Sequence, residues 1–272
     1  MSSQSASYLY ETHLHTAESS DCGVSPARDY IRRYINRGYT GIIVTDHFFR
    51  GNTAVDRRLP WKEWVHRFCR GFEEAHNEGE RRGLDVFFGW EETYEGDDFL
   101  IYGLDKTWLL EHPEVRYWTR KEQLAAVHEY GGCVVQAHPF REAYYLYKII
   151  LNPFFVDAVE AANGGNHQSA YDAIAMRYAQ KFGLPVTAGS DIHDADQVQT
   201  GPLFGVYLDK KLDKVEGNSR SYAEAVRSRS ITGLCTAPGR CDYHGDEYIS
   251  LPVTVLGADE KASRVNWRDY ID

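Results

Sequence analysis

The chain predicts a parallel α/β architecture, and three features carry that expectation. Short apolar runs such as Ile42-Ile43-Val44 and Cys133-Val134-Val135 read as strands buried on both faces. Between them lie segments with the i, i+3, i+4, i+7 rhythm of amphipathic helices, and strand-helix alternation implies a parallel sheet. One run after another also ends on histidine or carboxylate, in HLH, TDH, WEE, AHP and SDIH.

Tyr8, Leu9 and Tyr10 open the first strand. Pro26 to Tyr39 predicts a helix burying Ala27, Tyr30, Ile31, Tyr34 and Ile35, with Ser25 as N-cap, Pro26 at the first helical position and Gly38 as the stop. Ile42 to Val44 is the second strand. Trp61 to Arg82 predicts one long helix with Trp61, Trp64, Val65, Phe68, Phe72 and Ala75 on its buried face. Val86 to Phe88 is the third strand and Phe99 to Leu104 the fourth. Lys106 to Thr119 reads as irregular, and Lys121 to Tyr130 as a helix stopped by Gly131-Gly132. Strands at Cys133, Val156 and Pro185 flank a helix from Tyr171 to Phe182. Past Gly205 the pattern loosens to GVYLD, a helix from Tyr222 to Arg229, and ITGLCTAP. No linker composition interrupts the chain, which is read as a single domain over 1–272. Its core spans about 8–194, and 205–272 completes or decorates that core.

Composition narrows the function. Hydrophobic residues at 43% and aromatics at 14% supply a sizeable core, while no apolar stretch is long enough to span a bilayer. The start, MSSQSASY, lacks the features of a signal peptide. Five cysteines without CxxC spacing argue against a disulfide framework or a thiolate zinc site. A soluble, cytoplasmic protein is expected. A net charge of −10 disfavours long nucleic acid as a partner, but is compatible with a short anionic substrate in a metal-lined pocket.

His13 and His15 stand two apart at a strand end, so both imidazoles face one side while Leu14 turns back into packing. His47, Glu91, His138, Asp191 and His193 close later strands. In a closed β/α barrel such strand ends meet on one face. Seven nitrogen and oxygen ligands there exceed the needs of one tetrahedral ion. They suit two or three divalent ions, Zn, Mn or Fe, with Glu91 as a bridge. His66, His76, His112, His128, His167 and His244 fall on helices or loops and are read as structural.

The ordered set HLHTAESSD, VTDH, GWE, AHPF and GSDIH resembles the polymerase and histidinol phosphatase (PHP) domain family of metal-dependent phosphoesterases, over about Tyr8 to Asp194. The resemblance implies a distorted (β/α)7 TIM-like barrel, and often three metals. By position it assigns His13, His15, Glu91 and Asp191 to one ion, Glu91 and His138 to a second, and Asp21, His47 and His193 to a third. Family members with three metals commonly carry a histidine at the fourth strand. DDFLIYGL has none, and Asp98 is the available substitute. Asp46 is expected to support the ligands by hydrogen bonding. Arg141, and less strongly Arg50, could grip a phosphate oxygen. The expected activity is hydrolysis of a phosphomonoester or small phosphodiester through a metal-bridged hydroxide. The alternatives are an amidohydrolase-type metal-dependent hydrolase and a non-catalytic metal-binding regulatory or scaffold module.

Overall fold

A computed structural model describes residues 7–259 and 261–271. The chain runs through β1 (Tyr8–Glu11), α1 (Ala27–Asn36), β2 (Gly41–Val44), α2 (Trp61–Phe68), α3 (Arg70–Arg82) and β3 (Asp85–Tyr94). It continues through β4 (Asp97–Tyr102), α4 (Lys106–Glu111), α5 (Arg120–Glu129), β5 (Cys133–Gln136), β6 (Ile149–Leu151) and β7 (Ala158–Asn163). Then come α6 (Ser169–Phe182), β8 (Val186–Gly189), α7 (Ala195–Thr200), β9 (Gly205–Leu208) and α8 (Arg220–Arg227). Strands β10 (Ile231–Cys235), β11 (Val253–Leu256) and β12 (Ala262–Val265) follow. Among the described residues no helix is long and apolar enough to cross a membrane.

Nine strands form one barrel-like sheet in the order β10-β9-β1-β2-β3-β4-β5-β7-β8. The sheet closes at one rim, where Asp191 N–H donates to His13 O (2.8 Å) and His15 N–H to Ile192 O (2.9 Å), joining the ends of β1 and β8. This is the mixed α/β, TIM-like barrel that the sequence implies, with one departure that matters for the site. β4 runs antiparallel to both β3 and β5, and β9 runs antiparallel to β1 and β10. The N-terminal end of β4 therefore lies at the rim where β1, β2, β3, β5, β7 and β8 have their C-terminal ends.

Side chains alternate across the sheet. Leu9, Ile42, Val44 and Val86 pack outward with α1 residues Ala27, Tyr30, Ile31 and Tyr34. Tyr10, Ile43, Phe87, Leu100, Tyr102 and Val135 fill the interior. At the end away from the rim, Tyr222, Ala223 and Val226 of α8 join that interior, with Tyr222 edge-on to Tyr102. Tyr102 spans the barrel and donates to Thr12 O at 2.7 Å. The floor beneath the rim is thus packed.

Several elements differ from expectation. The helix over 61–82 is two helices meeting at Cys69. Stacking of Trp64 between Trp61 and Phe68 anchors the first against Phe48. Helix α1 carries no Ser25 cap. Glu18 instead accepts from Ala27 N–H at 3.0 Å, and Ser25 Oγ donates to Asp194. The irregular stretch contains α4 and a 3-10 turn over Pro113–Tyr117. Past residue 205, β9 and β10 join the barrel sheet, while β11 and β12 form a separate sheet with β6.

Candidate metal centre

Each station reaches the rim because the backbone pairing continues past its strand. Leu14 N–H donates to Thr45 Oγ1 at 3.0 Å, and Thr45 N–H to Leu14 O at 2.9 Å. Phe48 N–H donates to Glu91 O (2.7 Å) and Glu91 N–H to Asp46 O (3.1 Å). Ala137 N–H donates to Asp98 O (2.9 Å), holding the start of β4 beside the end of β5. His138 and Asp191 have positive φ, 27° and 52°, a conformation that non-glycine residues adopt at a cost and that clusters at functional sites.

Four overlapping groups have ligand atoms within 4.8 Å of one another: His13, His15 and Glu91; His13, His138 and Asp191; Glu91, Asp98 and His138; His15, His47 and His193. Glu91 belongs to two of them and also lies beside His47 of a third. Its Oε1 lies 3.3 Å from both His13 Nε2 and His138 Nε2, and its Oε2 lies 3.4 Å from His15 Nε2 and 2.8 Å from His47 Nδ1. Asp191 Oδ1 is 3.2 Å from His15 Nε2 and 3.9 Å from His193 Nε2. Of the expected site residues, His13, His15, His47, Glu91, His138, Asp191 and His193 come together.

Asp21 does not join them. It is exposed, stands outside all four groups, and its N–H is spent on Asn52 O. The turn that ends at Gly23 packs so closely on Thr16 that a Cβ at Gly23 would sit 2.3 Å from Thr16 O. It turns Asp21 outward and brings its neighbour Cys22 to the cleft. Asp98 does join. As a residue at the start of an antiparallel strand, it occupies the rim position where a parallel strand would place its last residue.

Supporting hydrogen bonds fix which nitrogen each histidine presents. His13 Nδ1 lies 2.9 Å from Glu160 Oε1, so its N–H donates there and Nε2 offers its lone pair to the centre. Glu160 Oε2 also accepts from His138 N–H and Asn163 Nδ2. Ser20 Oγ donates to Asp46 Oδ1 (2.7 Å), and accepts from His47 N–H (3.0 Å) and, at 3.2 Å, from His15 Nδ1–H. Asp46 also accepts from Thr16 N–H and Oγ1 and touches no group of the centre directly, which makes it a positioning residue. Glu11 Oε1 accepts from the N–H groups of Thr12, His13 and Ser190, pinning the two strand ends together. Gly189 has to be glycine, since a Cβ there would lie 2.4 Å from His13 Cβ.

Glu160, Glu11, Ser20 and Cys22 escape a reading of ligand spacing. Glu160 had a signal: a carboxylate amid the small apolar residues of AVEAAN, in a strand buried throughout. Arg141 donates through Nη2 to Asp191 Oδ2 (2.6 Å) and Asn163 Oδ1 (2.6 Å), and through Nε to Asn166 Oδ1. It lines the cleft from that position. Arg50 lines it too, but its guanidinium is tied to Glu92 and to the carbonyls of Val115, Arg116 and Trp118, so it clamps a loop. Of the histidines read as structural, His76 lies 3.1 Å from Val86 O and His128 2.9 Å from Asp157, both away from the rim.

The electrostatics suit divalent cations. Burial, reinforced by His47, drives the His15 pKa down to about 3, so its ring is neutral and able to coordinate. Burial opposes charge on His13, yet Glu160, Asp191 and Glu91 outweigh it and hold its pKa well above the usual value. Burial would raise the pKa of Glu91, but His13 and His47 keep it well below the carboxylate range. Burial raises the Cys22 thiol, while His193 and His47 more than offset it and bring it down to about 6. The decisive fit is a mismatch in hydrogen bonding. His47 Nδ1 and Glu91 Oε2 are buried and 2.8 Å apart, yet neither has a hydrogen-bond partner among the described residues. Two such atoms aimed at common space, beside two further buried carboxylates, are what a bound cation would satisfy. The centre opens into a cleft of about 630 Å³ lined also by Asn52, Thr93, Tyr144 and Tyr145.

Fold and site together define an α/β barrel with a candidate metal centre at its rim. A family model described as PHP-associated matches residues 173–198, the stretch that carries Asp191 and His193. This match falls on the last of the ordered motifs that resemble the PHP domain family. In structure the chain is similar to a two-domain protein from Bacteroides vulgatus containing a predicted PHP-like metal-dependent phosphoesterase (TM-score 0.55, 15% identity). That likeness covers 83% of this chain, which spans 64% of the other's length. PsfC from Pseudomonas syringae is similar at TM-score 0.53 and 16% identity, over 86% of this chain and 93% of PsfC. At these identities the structures show a shared fold. No curated protein matches the sequence significantly.

Proposed function

We propose that this protein is a metal-dependent hydrolase of phosphomonoesters or small phosphodiesters. The observation that carries the reading is the sharing of Glu91 among histidines from three other strands, with Arg141 on the same cleft. His13, His15, Glu91 and Asp191 would hold one ion, Glu91, Asp98 and His138 a second, and His47 and His193, with His15 close by, a third. When bound, such ions lower the pKa of water to give a nucleophile at neutral pH and offset charge on phosphoryl oxygens.

The protein's own groups then have defined tasks. Glu160 and Ser20 engage Nδ1 of His13 and His15 and so turn Nε2 of each inward. Arg141 holds Asp191 in place and presents a guanidinium to an anionic substrate. The packed floor of Tyr10, Phe87 and Tyr102 excludes water from below, so the cleft admits substrate from one side.

Hydrolysis of p-nitrophenyl phosphate and bis-p-nitrophenyl phosphate after reconstitution with Mn or Zn tests the proposal. Turnover that chelator abolishes and added metal restores is expected. Hydrolysis of a cyclic amide but of neither ester would favour the amidohydrolase alternative. Metal binding without turnover of any ester would favour the non-catalytic one.

A further inference from the structure

We propose that Cys22 is a protein ligand of the ion held by His47 and His193 beside His15, and that it makes this position selective for a thiophilic, zinc-type ion. The inference rests on the metal-centre reading above and extends it to a residue that neither spacing nor family motif assigns. Three imidazoles converge there. The His15 and His193 rings stack at 4.5 Å with an interplanar angle of 13°, and His15 and His47 at 4.3 Å and 29°. Their ligand nitrogens lie within 4.8 Å of one another.

A tetrahedral ion on the nitrogens of His47 and His193 needs further donors. The residue expected to supply one, Asp21, faces solvent. Like Asp21, Cys22 stands outside the four groups, but it lines the cleft, half-buried and beside both His47 and His193. An independent sign that the spot awaits a ligand comes from Glu91. It is 1% exposed, and its Oε2 has no hydrogen-bond partner while facing His47 Nδ1 and His15 Nε2.

The donor chemistry makes the centre asymmetric. Two imidazoles and a thiolate form a borderline-to-soft set, favouring Zn or Co over Mn or Mg. Glu91, Asp98 and His138 form a harder set, with two carboxylates and one imidazole. One position should therefore retain zinc under conditions in which the other exchanges it for manganese.

Cobalt substitution tests this without reference to activity. The Co(II) protein should show a thiolate-to-cobalt charge-transfer band in the near ultraviolet, together with visible ligand-field bands. Cys22→Ser should lose the first, keep the second, and bind one equivalent of zinc at least about tenfold more weakly, the minimum expected when even an outer partner of a metal ligand is lost. Asp21→Ala should keep both sets of bands. Ligand-field bands without a charge-transfer band in the wild-type protein would overturn the role of Cys22 and leave the metal centre standing. Persistence of the charge-transfer band in Cys22→Ser would do the same. Failure to bind cobalt at all would overturn the centre itself and this inference with it.

Discussion

Glu91→Gln is expected to lower kcat/KM on a phosphoester by at least about a thousandfold, or about 4 kcal/mol of transition-state stabilisation. Both Glu91 oxygens are engaged, one toward His13 and His138 and the other toward His15 and His47. An amide keeps the shape but replaces one oxygen with a donor and removes the charge. The substitution therefore disturbs every ion position that borrows this carboxylate. Metal analysis should show more than one equivalent lost from the variant. A variant with full metal content and near-normal turnover would mean that Glu91 is not shared.

The second large effect belongs to Asp98. Asp98→Ala should lose about one equivalent of metal and about a hundredfold in kcat/KM, or about 2.7 kcal/mol. The ions held by His13, His15 and Asp191 should remain. Asp98 sits with Glu91 and His138 and is steadied by a hydrogen bond from Thr93 Oγ1, directly across the β3–β4 ladder. Asp98→His should recover part of the loss, because it puts an imidazole where the alanine variant has no donor. Titration with Mn, followed by metal analysis and assay of the same samples, measures both quantities. Unchanged stoichiometry in Asp98→Ala would show that the carboxylate is a bystander.

Asp98 also marks how far the sequence could be read. His13 and His15 were legible because strand alternation puts both on one side, and His47, Glu91, His138, Asp191 and His193 because each closes an apolar run. Those signals point to the rim only where the strand is parallel. A run such as FLIYGL, buried throughout, looks the same in either direction, so the antiparallel course of β4 left no trace in hydrophobicity. Asp98 entered only as the substitute that the family resemblance calls for, and the rim lies at this N-terminal end of the strand. The supporting groups were hidden for another reason. Glu160, Ser20 and Glu11 act through hydrogen bonds to partners as many as 179 positions away, and no local pattern announces such pairing. Asp21 and Cys22 are adjacent, and only the tight turn against Thr16 decides which faces the cleft. Helical rhythm fixed α1 and α6 well, but missed the break at Cys69 because the buried face runs on from α2 into α3.

The most direct test of cation binding by residues far apart in sequence is anomalous diffraction from crystals of the metal-reconstituted protein, collected on both sides of the zinc and manganese edges. Two or three anomalous peaks are expected in the space bounded by His15, Glu91, His138 and Asp191, with a Glu91 oxygen adjoining more than one of them. No peak there at full metal loading, or peaks only at other surface residues, would contradict it.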